Sequence, residues 1–187
     1  DVVSRITFVT WDGAGNLLWS QPLPVGLSFN FDLSVSNGIT VSWGETNQQT
    51  GDPHLYVQRF SDAGALEWSL HLNDLLGISR VTTSIKILVT GPTQGILVMG
   101  RESDGSSDYI PFLARFDFAG NLIWKRNYSV LNSYVYTFMV GGAPTPDNGF
   151  ILGGNSDQGI DDYLFVMKID AEGNLLPGNL EGFVRLD

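Results

Sequence analysis

A nine-residue motif occurs four times in this chain and limits the folds open to it more than any other feature. The copies align without gaps: Trp11-Asp-Gly-Ala-Gly-Asn-Leu-Leu-Trp19, Phe60-Ser-Asp-Ala-Gly-Ala-Leu-Glu-Trp68, Phe116-Asp-Phe-Ala-Gly-Asn-Leu-Ile-Trp124 and Ile169-Asp-Ala-Glu-Gly-Asn-Leu-Leu-Pro177. Their shared glycines, Gly15, Gly64, Gly120 and Gly173, are spaced by 49, 56 and 53 residues. Each copy reads as a hairpin. An apolar run ends at the first residue, Asp or Ser opens a turn, and Gly supplies the positive φ that a bulged hairpin turn needs and other residues resist. A second apolar strand then leaves.

The runs entering the turns, Ile6–Trp11, Leu55–Phe60, Pro111–Phe116 and Leu164–Ile169, are apolar at both parities. Strands of that kind are expected to be covered on both faces. One position breaks the runs in a regular way: Arg59, Arg115 and Lys168, with Thr10 in the first copy. Those cations would either line a channel or make structural pairs at strand ends, with their stems packed along apolar surface; the second is the plainer expectation.

Two more strands precede each complete hairpin. The nearer ones are Gly38–Gly44, Gly95–Gly100 and Gly149–Gly154, and the farther ones are Leu27–Val35, Val81–Thr90 and Val135–Val140. Breaker clusters separate them, such as Ser36-Asn37-Gly38 and Pro146-Asp147-Asn148-Gly149. Four antiparallel strands recurring at about 50 residues make a β-propeller blade. The fold expected is therefore all-β: a half-blade at 5–23, blades at 27–72, 81–128 and 135–180, and a tail strand at 183–186. About three and a half repeats leave three arrangements. The tail closes a four-bladed ring, two chains join their incomplete ends, or the chain is a piece of a longer propeller. The start in mid-blade, with no leader in view, favours the last. Open ends would expose strand edges and an apolar face, which is an association site.

The segments Tyr56-Val-Gln-Arg-Phe60, Gly64-Ala-Leu-Glu-Trp68 and Leu164-Phe-Val-Met-Lys-Ile-Asp170-Ala-Glu-Gly-Asn-Leu-Leu176 resemble secreted bacterial and archaeal β-propeller repeat proteins. The element Gly149-Phe-Ile-Leu-Gly-Gly154 and the acidic loop before Tyr163 fit the same pattern, so the resemblance covers nearly the whole chain. The Gly-x-Leu-x-Trp hairpin is also similar to quinoprotein-type propeller repeats. No quinone-binding residue of the dehydrogenases is matched, so no cofactor is implied. The fourth copy departs in having Pro177 where the others have Trp. Proline removes a ladder donor, so that strand should sit at an edge or end early.

Composition narrows the function. The 187 residues carry a net charge of −10 and no basic stripe, which disfavours nucleic acid and anionic membranes. Without Cys there is neither a disulfide framework nor a thiolate metal site. No apolar run approaches the roughly 20 residues of a membrane-spanning helix. Lysine is confined to Lys86, Lys125 and Lys168 amid abundant Asn, Ser, Thr and Gly, a composition that leans towards a secreted or cell-surface protein.

Site chemistry is sparse. Trp19, Trp68 and Trp124 recur at one position and read as packing between blades. Trp11 and Trp43 lack a tryptophan counterpart in every copy and are the candidates for a sugar-stacking surface. In the acidic loops, Asp104 and Asp108, and likewise Asp157 and Asp161, are spaced as alternate oxygen donors, which would suit calcium. The plainer reading is a solvated turn whose Asp side chains cap backbone N–H groups. His54 and His71 are the only histidines, and no nucleophile elbow or phosphate loop is present. The function expected is a non-enzymatic extracellular interaction or scaffold module, part of a larger adhesive or surface assembly, with a protein partner or additional blades completing the propeller. A carbohydrate-binding propeller is the first alternative and a glycan-active enzyme the second.

Overall fold

A computed structural model describes residues 7–22, 31–35, 38–46, 53–78, 85–90, 95–103, 109–128, 136–157, 162–176 and 184–185. The chain is all-β, arranged as four small antiparallel sheets in sequence order. The first is a two-stranded hairpin, β1 (Thr7–Trp11) with β2 (Leu17–Pro22). The second is a four-stranded meander of β3 (Phe31–Val35), β4 (Ile39–Thr46), β5 (Pro53–Phe60) and β6 (Leu66–His71). The third repeats it with β7 (Lys86–Val89), β8 (Ile96–Ser103), β9 (Tyr109–Phe116) and β10 (Leu122–Asn127). The fourth contains β11 (Tyr136–Pro144), β12 (Phe150–Asp157), β13 (Asp162–Ile169) and β14 (Val184–Arg185).

The motif forms the last hairpin of the first three sheets. Gly15, Gly64, Gly120 and Gly173 have φ between 80° and 86°, the left-handed region foreseen for the turn. The pairing register slips by a residue beside each of the first three turns, as a bulge requires. In the fourth copy Leu175 makes a single bridge to Ile169, and the described strand ends there, ahead of Pro177.

The tail differs from one of the arrangements open to it. β14 pairs with β13, Tyr163 opposite Arg185 and Leu164 opposite Val184. It is thus the fourth strand of the last sheet, filling the place the short fourth hairpin leaves. Among the described residues the tail pairs with β13 and not with β1. A short helix, α1 (Leu72–Leu76), was also not expected. It follows β6, buries Leu72, and ends at Gly77 in the left-handed conformation.

The sheets stack face to face in chain order. β3 lies beside β7, and β7 beside β11. Leu55 and Val57 of the second sheet meet Ile96, Val98, Phe112, Ala114 and Phe116 of the third. Leu97, Met99 and Leu113, on the other face of the third sheet, meet Phe150, Leu152, Phe165, Met167 and Ile169 of the fourth. Val41, Trp43 and Phe60 pack towards Phe8 of the first pair. Each fully buried Phe or Leu stabilises the stack by about 1.5–3 kcal/mol. Only the central sheets are therefore covered on both faces, as β8 and residues 111–116 of β9 show. Strands β1 and β13 alternate between covered and exposed side chains, because each terminal sheet has a neighbour on one side only.

Candidate functional site

The residues that recur in the sequence converge on the joints between sheets. Each joint begins with a rigid turn. Asp12, Asp117 and Asp170 accept the Asn16, Asn121 and Asn174 backbone N–H at 2.7–2.8 Å through one oxygen, and the same asparagine's side-chain amide at 2.8–2.9 Å through the other. These bonds favour the charged form, so all three carboxyls sit below the usual aspartate range, with the asparagine side chain the largest cause. In the second copy Ser61 Oγ does part of this work by accepting the Ala65 N–H at 3.1 Å.

On each of the last three turns rests a tryptophan from the sheet before. Trp19 donates its indole N–H to the Asp62 carbonyl at 3.1 Å, Trp68 to Phe118 at 2.9 Å, and Trp124 to Ala171 at 2.9 Å. The accepting residue is always two past the end of the apolar strand. The indole also covers the turn glycine. A Cβ added at Gly120 would lie 3.1 Å from Trp68, one at Gly173 would lie 3.0 Å from Trp124, and one at Gly64 would run into Trp19. Glycine is thus held to these positions twice over, by φ and by the indole.

Two of the recurrent cations, Arg59 and Arg115, serve the same joints, and all three make structural contacts. Arg59 is buried, pairs with Glu67 at 2.9 Å, bonds Thr40 at 3.0 Å, and lies 4.7 Å over the Phe118 ring of the next sheet. Arg115 is buried and donates to the Ala171 carbonyl at 2.7 Å, sharing that acceptor with Trp124. Burial lowers its pKa, because the charged form loses water. Lys168, on the last sheet, turns back to Asp147 of its own sheet at 2.6 Å. That bond, helped by Thr145, holds the Asp147 carboxyl well below the usual carboxylate range.

Trp11 and Trp43 fall in different surroundings. Trp11 is 59% exposed at the end of β1. Trp43 is 5% exposed and stacked on Tyr56 at 4.2 Å, so a sugar-stacking platform would fall to Trp11 alone. Asp104, Asp108 and Asp161 lie outside the described residues, and Asp157 is described only as the end of β12.

Two features carry no repeat signal and were not foreseen. Tyr128 donates its hydroxyl to the Gly173 carbonyl at 2.7 Å, adding a third grip on the last turn. Its equivalents, Leu23 and Leu72, have no hydroxyl. Trp43, Tyr56, His71 and His54 form a row of stacked rings, with His71 Nδ1 2.6 Å from Asp74. Trp43, Tyr56 and His71 are cross-strand neighbours, legible only once the register is known.

At the two ends of the stack, described side chains whose counterparts in the other sheets are buried stand exposed. Trp11 occupies the position of Phe60, Phe116 and Ile169, which are at most 2% exposed. Among the described residues, nothing lies within 4 Å of a Cβ placed on Gly15. At the other end Ile151 and Val166 are 43% and 49% exposed, whereas their counterparts Leu97 and Leu113 are fully buried by the fourth sheet. No protein-family model matches the chain, and no curated protein does.

Proposed function

We propose that this chain is an interaction scaffold of the β-propeller type, working outside the cell, whose sheets are blades and whose ends hold partner chains. The observation that carries the reading is where the distinctive residues are spent. Trp19, Trp68, Trp124, Arg59 and Arg115 all join one sheet to the next. The same kind of surface then stands uncovered at both ends, with Val9, Trp11, Leu18, Val140, Ile151, Leu164 and Val166 exposed. Large exposed apolar faces mark sites of association. Trp11 would also suit a sugar ring, but its register position is that of a residue that packs against another sheet.

The immobilised chain should retain a macromolecular partner from its native source, and Val166→Asp or Trp11→Asp should release it. A chain that stays monomeric at all concentrations and retains nothing overturns the reading. A glycan array that lights up on the wild type and goes dark on Trp11→Ala would move the assignment to a lectin.

A further inference from the structure

We infer that the bare turn Asp12–Asn16, with Trp11 beside it, is an acceptor for one more sheet of this repeat, a sheet whose hairpin ends in tryptophan. The inference rests on the scaffold reading and names the partner of one end. The occupant is argued from the three joints already filled. In each, the turn glycine is covered by the preceding sheet's tryptophan, whose indole N–H reaches the carbonyl two residues past the strand. The first turn has every acceptor element. Asp12 is clasped by Asn16 as Asp117 is by Asn121. The Asp12 N–H bonds the Asn16 carbonyl at 2.9 Å, and the Gly15 N–H bonds Asp12 at 3.0 Å, matching the filled turns. Gly15 has the same positive φ. Gly13 stands where Asp62, Phe118 and Ala171 offer their carbonyls. Trp11 takes the place of Phe60, which stacks on the indole of Trp19 at 6.2 Å. The site is therefore preorganised, and the surface continues an interface the chain uses three times.

A second copy of this chain is the poorer occupant. Trp19, Trp68 and Trp124 are committed to internal joints. The free face of the fourth sheet belongs to the copy with Pro177 in place of tryptophan, and its Lys168 is held by Asp147. A copy docking head to tail would bring apolar area and no indole.

The test supplies the missing donor on the full chain. A probe carrying Pro177→Trp and Lys168→Arg, with Gly15→Val to block its own acceptor, is mixed with the wild type and followed by sedimentation velocity. A one-to-one complex is expected, weakened at least tenfold when the acceptor chain carries Gly15→Val or Trp11→Ser. Thermal melts check that each variant folds, and Pro177→Trp alone is the second donor if the combined changes disturb the fold. Lack of a complex between a folded donor and the wild type overturns the inference. So does wild-type self-association that Gly15→Val abolishes, because the proline-ended copy would then be the occupant. Neither result bears on whether the wild type retains a partner from its source, so the scaffold reading stands or falls separately.

Discussion

Replacing Gly120 by alanine, with and without Trp68, measures what one joint is worth. At φ of 86°, an alanine in the left-handed region costs roughly 1–2 kcal/mol wherever it is placed. At Gly120 there is a further cost. The new Cβ sits 3.1 Å from the Trp68 ring, so the indole must yield by a few tenths of an ångström. Its N–H bond to the Phe118 carbonyl, 2.9 Å long, then weakens. Such a bond contributes about 1 kcal/mol net. Gly120→Ala should therefore cost about 2–3 kcal/mol. Trp68→Ala alone should cost about 2–4 kcal/mol, since truncating a fully buried tryptophan costs ~3–5 and this one is half-buried. With Trp68 gone, Gly120→Ala should cost only the backbone strain, so the double variant falls short of additivity by about 1 kcal/mol. Gly15→Ala is the control, with φ of 85° and no indole above it, and should show strain alone. Equilibrium urea unfolding followed by far-ultraviolet circular dichroism gives all the values. Sites without contact add to within about 0.5 kcal/mol. Additivity inside that margin, or a Gly15→Ala cost equal to that of Gly120→Ala, would show that the indole is not seated on the glycine.

Arg115→Ala should cost about 2–4 kcal/mol in the same assay, because it removes a charge-assisted bond to the Ala171 carbonyl and a buried stem, and Arg115→Lys should restore only part of it. Tyr128→Phe should cost about 1 kcal/mol by losing the bond to Gly173. The wild-type Tyr128 should ionise only well above the usual tyrosine range, since burial raises its pKa. That raised value adds stability below pH about 10, the unfolded tyrosine range, and the contribution is lost as pH rises further, which a melt across alkaline pH would follow. Asp12, Asp117 and Asp170 have lowered folded pKa values, so their contribution is present above about pH 4 and disappears as pH falls below it. Asp117→Asn should flatten the acid limb of the melting profile in proportion to its share.

The sequence made the turns legible because their chemistry is local. An Asp, a Gly and an Asn at fixed offsets dictate one hairpin, and the structure has it at Asp12, Gly15 and Asn16, where no indole of the described residues packs on the glycine. The packing role of Trp19, Trp68 and Trp124 was legible from recurrence, but their acceptors were not. The indole of Trp68 bonds a carbonyl 50 residues away, and no spacing within one copy reveals that. Burial of β1 and β13 was overestimated because composition describes what a strand can cover, and not whether a neighbouring sheet is there to cover it. Trp43 was misjudged as a surface residue for a related reason. It stacks on Tyr56, its cross-strand partner, and that pairing depends on a register that the sequence alone leaves open.

The joints have a direction, and this decides what the ends can do. Tryptophan reaches from one sheet into the turn of the next at all three joints, with Arg59 and Arg115 beside it at the second and third, so each interface sets donors on one side against acceptors on the other. A two-fold pairing of identical ends would set turn against turn, or donor face against donor face, and could not reproduce the contact. Only head-to-tail joining can, and head-to-tail contacts that fail to close run on into filaments. A chain with a complete donor at one end and a complete acceptor at the other would carry that hazard. Here the fourth sheet is disarmed by one substitution within the motif and one just before it: Pro177 removes the indole, and Lys168 turns its cation back onto Asp147. The turn at Asp12–Asn16 keeps the clasp and the positive φ of the filled turns, and the joint proposed there takes its indole from another sheet that kept its tryptophan.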